Sequence, residues 1–359
     1  MLNPIATKAL SILLSLAVAS TVQANSEESE AKTVQNIAQT VILKSYKDLA
    51  QSTSQLATSC VQFAQKKTVP SKRKAQSDWK EARAAWEHTE AFLFGPVDAL
   101  SVDPMMDSWP INTSDIEKVI QSKDTLEPEL LENLGESFQG FHVIEYFLFA
   151  KSNNLKPREQ QYLTLTCQAL KGQSDKLLQA WTKNHNPEDA QSAPYINLIS
   201  NPETNNPFFN TNKAVLIQLL QSVTDIVTEA SAAKILEPLG ATLSEAQPAL
   251  FESSYSQNSL TDLVFNMYSV LSVYNGQYSS QKGLGLQQWI ALKYSEQAQL
   301  IQKQIRDALV AIQAIPGVKK LSLEKASVDP EGRKRALAAA KTLETLQATL
   351  EQTVILMNK

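Results

Sequence analysis

An all-α architecture is what this sequence predicts, and three observations carry it. Ala, Leu and Gln are abundant while only 10 of 359 residues are glycine, a composition that favours helix. Apolar residues recur at three- and four-residue spacing through most of the chain. No stretch sustains the alternation that a half-buried strand requires. A chain of this length exceeds the size at which one hydrophobic core is favoured, so two helical bundles are expected, 25–200 and 201–359.

Taken in order, residues 1–24 read as a signal peptide. Lys8 and the amino terminus supply positive charge, ALSILLSLAVA (Ala9 to Ala19) is a short apolar core, and Val22-Gln23-Ala24 is a small-x-small cleavage pattern. The core is shorter than the roughly 20 residues a bilayer demands, and no Cys stands near the cleavage point to carry a lipid. An exported, periplasmic and soluble mature chain is expected. From Ala31 to Phe63 the stripe Val34, Ile37, Val41, Tyr46, Leu49, Leu56, Phe63 predicts a first helix. A second begins after Pro70-Ser71 and runs to about Phe94, where Gly95-Pro96 stops it. Residues 97–112 read as a long irregular segment, of a length that is usually functional or packed by its own side chains. Further helices are expected over 127–150, 157–183, 212–239, 260–274, 295–315 and 330–357. NPETNNPFFN (Asn201 to Asn210) is the linker between bundles, and Asp329-Pro330 is a capped helix start.

The formal charge of −4 becomes −5 once Lys8 is removed with the leader. So mild an acidity, with one basic cluster (Lys66 to Lys74) at a predicted turn, excludes nucleic acid as a partner. Cys60 and Cys167 both fall in helical patterns. Export permits a disulfide and burial permits free thiols, and both readings stand.

The chemistry concentrates in Gly140-Phe141-His142-Val143-Ile144-Glu145, inside the apolar run FQGFHVIEYFLFA. On a helix, His142 and Glu145 share one face and can aim at one point. Gly140 allows a backbone or ligand to approach closely. A buried carboxylate must be satisfied, and a metal ion is one candidate. The second helix adds Trp79, Arg83, Trp86 and Glu90 on one stripe. The functional reading places Glu90 with His142 and Glu145 at a shared site, with Arg83 holding a carboxylate. The plain structural reading has Arg83 and Glu90 satisfying contacts at a helix interface, and His142 as a hydrogen-bonded core residue. His88 points away from the stripe and His185 lies in a turn, so neither is a natural second ligand.

WKEARAAWEHTEAFLFGPVD (Trp79 to Asp98), SWPIN (Ser108 to Asn112) and GFHVIEYFLF (Gly140 to Phe149), in that order, resemble the imelysin-like family of exported bacterial proteins. ESSYSQNSLTDLVFN (Glu252 to Asn266) and YNGQYSSQKGLGL (Tyr274 to Leu286) are similar to its C-terminal half. Within the family the chain is most similar to the iron-regulated branch. The resemblance implies a pair of bundles derived from an internal duplication, with the site between them. That site would hold His142, Glu145, Glu90 and Arg83, with Glu252 and Ser256 approaching from the C-terminal half. The lipid-attachment Cys of many members is absent.

Catalytic zinc in peptidases is usually held by two helical histidines at i and i+4, yet position 146 is Tyr146, and no nucleophile elbow or triad appears. One imidazole among carboxylates suits iron or manganese, with another divalent metal such as calcium a poorer match. The expectation is an exported iron-binding protein in bacterial iron acquisition, with ligands His142, Glu145 and Glu90. Arg83, Trp79, Trp86, Gly140, Glu252 and Ser256 line or support the site. Its partner is bare or chelated metal, passed to an inner- or outer-membrane uptake component. The alternatives are an imelysin-type metallopeptidase, or a cleft in which Trp79, Trp86 and Trp109 stack haem, a siderophore or an acidic sugar. Tyr255, Tyr268, Tyr274 and Tyr278 are either phenolate ligands for ferric iron or bundle core.

Overall fold

The computed structural model describes residues 26–203 and 205–359; the expected leader, 1–24, lies outside them. Helical turns over 26–36 pass through a π-helical segment, Ile37–Ile42, into α1 (Leu43–Lys66). Lys67, with φ 52°, ends α1 in the left-handed region and returns its N–H to the Phe63 carbonyl. A reciprocal cap between Thr68 and Ser71, with Pro70 in the first turn, starts α2 (Val69–Glu87).

The second helix is shorter than the sequence predicts. It stops at Glu87, and a 3-10 turn, Glu90–Phe92, replaces its last two turns. Thr89 Oγ1 donates to the Trp86 carbonyl at 2.7 Å, and the Ala91 N–H donates to Ser269 Oγ at 3.0 Å. A partner 178 residues away thus takes a backbone group that the helix would otherwise use. The segment expected to be irregular holds two short helices, Pro96–Ala99 and α3 (Val102–Asp107).

The helix expected over 127–150 is also broken. Pro128–Leu134 ends at Gly135 (φ 89°), the 3-10 turn Glu136–Phe138 follows, and Gly140 (φ 88°) opens α4 (Phe141–Glu145). A π turn, Tyr146–Ala150, continues α4. The close approach expected at Gly140 is present: a Cβ there would lie 2.5 Å from the Met106 carbonyl oxygen. Gly140 therefore sets α3 directly against the start of α4, which brings Asp107 to His142. α5 (Pro157–Thr182) packs on α1, and Cys60 and Cys167 join the two by a disulfide, deciding the open question about the thiols.

Beyond 201–210, α6 (Asn212–Ser231) runs into the π turn Ala232–Leu236. α7 (Ser259–Asn275), α8 (Ser295–Ala314) and α9 (Pro330–Asn358) complete the fold, and Asp329 caps α9 as the sequence predicts. The strands Gln277–Tyr278 and Gln281–Lys282 form a two-residue hairpin that the sequence did not announce, with Gln277 opposite Lys282. The chain is all-α apart from it among the described residues. α1, α2 and α5 pack together, and α6, α7, α8 and α9 do likewise. α2 meets α7, and the turn at Glu90 meets α6. Everything chemically unusual gathers along that junction.

Candidate functional site

Each element at the junction delivers side chains for a local reason. One face of α2 carries Trp79, Arg83, Trp86 and Glu87 inward, all buried. The stop at Glu87 swings Glu90 back toward the same space. α3 supplies Asp107, α4 supplies His142 and Glu145, the π turn supplies Lys234, and the loop before α7 supplies Glu252. α7 contributes Asp262 and Asn266.

Arg83 is the hub. Its guanidinium contacts Glu87 and Asp107 closely, reaches Glu252 at 2.8 Å and lies 3.9 Å from Asp262. Lys234 Nζ bonds both oxygens of Glu252, at 2.9 and 3.0 Å, and Glu87 Oε2 at 3.4 Å. Asn266 also donates to Glu87. His142 is held at both nitrogens: Nε2 faces Asp107 Oδ1 at 3.1 Å, and Nδ1 faces Glu145 Oε2 at 3.2 Å. The other Glu145 oxygen accepts the Ser256 N–H at 2.7 Å. A line of hydrogen bonds thus runs from the C-terminal half into the imidazole.

The imbalance of charge matters most. Glu87, Glu90, Asp107, Glu145, Glu252 and Asp262 are all buried, against Arg83, Lys234 and His142. Buried charge without compensation is expensive, so several of these carboxylates favour their protonated form. Burial pushes Glu87 up to about 8, although Arg83 and Lys234 work against it. Burial also raises Asp262 to about 6 and Glu90 well above the usual carboxylate range. For Asp107, burial is outweighed by Arg83 and the His142 hydrogen bond, which hold it well below that range. Burial would lower His142, but its bonds to Asp107 and Glu145 raise it to about 9. Held up at about 9, the imidazole is protonated near neutral pH and then donates to two carboxylates.

His142 and Glu145 are adjacent as the sequence predicts, and Arg83, Glu252 and Ser256 join them through the bonds above. Glu90 stands apart from that pair and converges with Glu87 and Asp107 instead. Two other groups have ligand atoms within 4.8 Å of one another: Asp107, His142 and Glu252, and Glu87, Glu252 and Asp262. Trp79 and Trp86 do not rim an open cleft. Both are fully buried, with indole N–H groups donating to the Phe141 carbonyl at 2.9 Å and to Asp107 Oδ2 at 2.7 Å. They position α4 and Asp107 and have no face free for stacking. Tyr274 and Tyr278 are likewise engaged elsewhere, donating to the Ala298 carbonyl and to Asp48.

Sequence reasoning missed Glu87, Asp107, Lys234 and Asp262. Glu87 stands at i+4 from Arg83, a spacing that signals an ion pair. Lys234 is a lone charge in ASAAKIL, a helical run too apolar for a solvated lysine. Asp107 and Asp262 carry no comparable local signal.

An α-helical protein with a buried acid–imidazole centre at the junction of two helix groups is the class that this fold and site define. The family model described as imelysin matches residues 42–350, and the chain belongs to the imelysin family. The chain is 29% identical over 326 residues to iron-regulated protein A of Synechococcus elongatus, covering 90% of this chain and 85% of that protein. Among solved structures it is similar to an iron-regulated protein A precursor from Parabacteroides distasonis, with TM-score 0.78 and 23% identity, covering 91% of this chain and 95% of that one. It is also similar to an imelysin-like protein from Psychrobacter arcticum, with TM-score 0.72 and 16% identity, covering 92% and 96%. At those identities the two structures bear on the fold alone.

Proposed function

We propose that this chain is an exported metal-binding protein of iron acquisition, holding an iron cation at the junction of bundles 25–200 and 201–359. One observation carries the reading. The Glu90 side chain is 6% exposed, and no hydrogen bond or ion pair reaches its carboxylate among the described residues. It nevertheless converges with Glu87 and Asp107. Such a carboxylate is neutralised by a proton or by a cation, and its convergence with two more carboxylates favours the cation.

His142 would offer the metal Nε2, the nitrogen that faces Asp107, while Nδ1 stays on Glu145. Glu145 thereby serves as the carboxylate that orients the imidazole, an arrangement common around metal-bound histidine, while Asp107 and Glu252 would supply oxygens beside His142 and Glu90 would join from the far side of Asp107. Imidazole with carboxylates suits iron or manganese. When bound, the metal supplies the positive charge that the apo site draws from protons, so loading releases protons from His142 and Glu87. The name of the Synechococcus relative supports iron as the first ion to test.

The test is elemental analysis and anaerobic titration of the mature chain with iron, manganese and zinc, beside Glu90→Gln and His142→Ala variants that keep a native helical spectrum. Stoichiometric iron, lost in His142→Ala and weakened in Glu90→Gln, is expected. A wild type that binds no metal specifically would sink the reading.

A further inference from the structure

Lys234 is a lysine buried where a metal-binding site has least use for one. Its ammonium is 2.9 and 3.0 Å from the two Glu252 oxygens, 3.4 Å from Glu87 Oε2 and 5.6 Å from the centre of the Trp109 ring. Glu252 belongs to two of the three groups able to hold a cation, and Glu87 also belongs to two. Lys234 thus occupies the oxygens that a metal would need. Glu229 Oε1 also lies 3.7 Å from the ammonium, on a side chain that is 41% exposed. Glu229 lines a surface cavity of about 600 Å³ between α6 and α9, together with Thr228 and Glu351. Lys234 itself sits on the π turn that follows α6, a helical irregularity frequent at functional sites. Its flexible four-carbon stem lets the ammonium exchange carboxylates without backbone movement.

We propose that Lys234 is a resident counter-ion that an incoming cation must displace toward Glu229, and that this exchange sets which cations the site accepts. The inference rests on the binding reading above. Stripping an ammonium from a buried carboxylate is costly, so an ion enters only if its own bonds offset that loss. A transition-metal cation does so by taking the imidazole nitrogen together with several carboxylates. Calcium and magnesium, which prefer oxygen alone, gain nothing from His142 and stay excluded. The charge of the junction also changes less on loading than it would in a site without a lysine.

The experiment is titration of wild type and Lys234→Met with ferrous iron, under anaerobic conditions, and with calcium. Methionine keeps the length and apolar character of the stem and removes the charge. Wild type is expected to bind iron and not calcium; K234M should bind iron at least tenfold more tightly and acquire calcium binding. Iron binding by wild type with unchanged or weaker affinity in K234M overturns the role of Lys234 and leaves the binding reading intact. Iron binding by K234M alone upholds the role of Lys234 and overturns the reading that the natural chain is an iron carrier. No iron in either protein overturns both. Should K234M lose its helical spectrum, Glu229→Gln carries the test. It removes the acceptor for the displaced ammonium, so iron affinity should fall threefold or more, and an unchanged affinity overturns the proposal.

Discussion

The two interiors of this molecule follow opposite rules. Between α6, α8 and α9, the buried side chains are mostly aliphatic, with no buried carboxylate among them: Leu216, Leu220, Val223 and Val227, then Ile301 and Ile305, then Leu343, Leu346 and Leu350. Burying each such side chain contributes about 1.5–3 kcal/mol to folding. At the junction of α2, α4 and α7, the same depth of burial is given to arginine, lysine, histidine and six carboxylates. A buried ion network is a poor source of stability compared with apolar residues of the same volume. The first interior holds the protein together, and the second makes sense as a place for a charge to bind.

Substitutions can break that contrast, and the largest effect is expected at its centre. Arg83→Ala leaves Glu87 and Asp107 without their main counter-charge and should destabilise the chain by about 3–5 kcal/mol in urea unfolding, with the loss greatest at high pH. Leu343→Ala, in the aliphatic interior, should cost about 3 kcal/mol at every pH and leave iron titration unchanged. A pH-dependent loss there would erase the distinction between the interiors.

The next effect is that of pH on the wild type without metal. His142 is held up at about 9, so its stabilising contribution is complete below its ordinary 6.5 and disappears as pH rises through 9. Glu87, raised from 4.5 to about 8, keeps a proton that the unfolded chain releases, so stability also falls across that window. Both push the same way: urea midpoints should decline from pH 5 to pH 9, and iron should reverse much of the decline. A flat profile would show that the junction is not proton-compensated. The smallest effect is expected of Glu90→Gln. It should raise metal-free stability by about 1 kcal/mol, more at high pH than at low, because burial disfavours the ionised form of Glu90.

Much of the fold was legible in the sequence because helices announce themselves locally. α5, α7, α8 and α9 lie within a residue or two of their apolar stripes, and the caps at Pro70 and Asp329 were readable. The misreadings have tertiary causes. Nothing local stops a helix at Glu87; Ser269, far along the chain, takes the Ala91 N–H. Within 127–150, two glycines at positive φ were outvoted by the apolar run around them. The site divides similarly. His142, Glu145 and Arg83 stand out by residue type and spacing. Asp107 becomes important only because Gly140 lets α3 touch α4, and Lys234 only because the π turn points it at Glu252.

The disulfide between Cys60 and Cys167 has a consequence for metal chemistry. These are the only two cysteines in the sequence, and both are spent on joining α1 to α5. The oxidised chain therefore offers no thiolate to a soft ion such as cuprous copper, and no thiol that could reduce a ferric ion. On the proposed reading, an electron that changed the state of a bound ion would have to come from a donor other than a cysteine thiol.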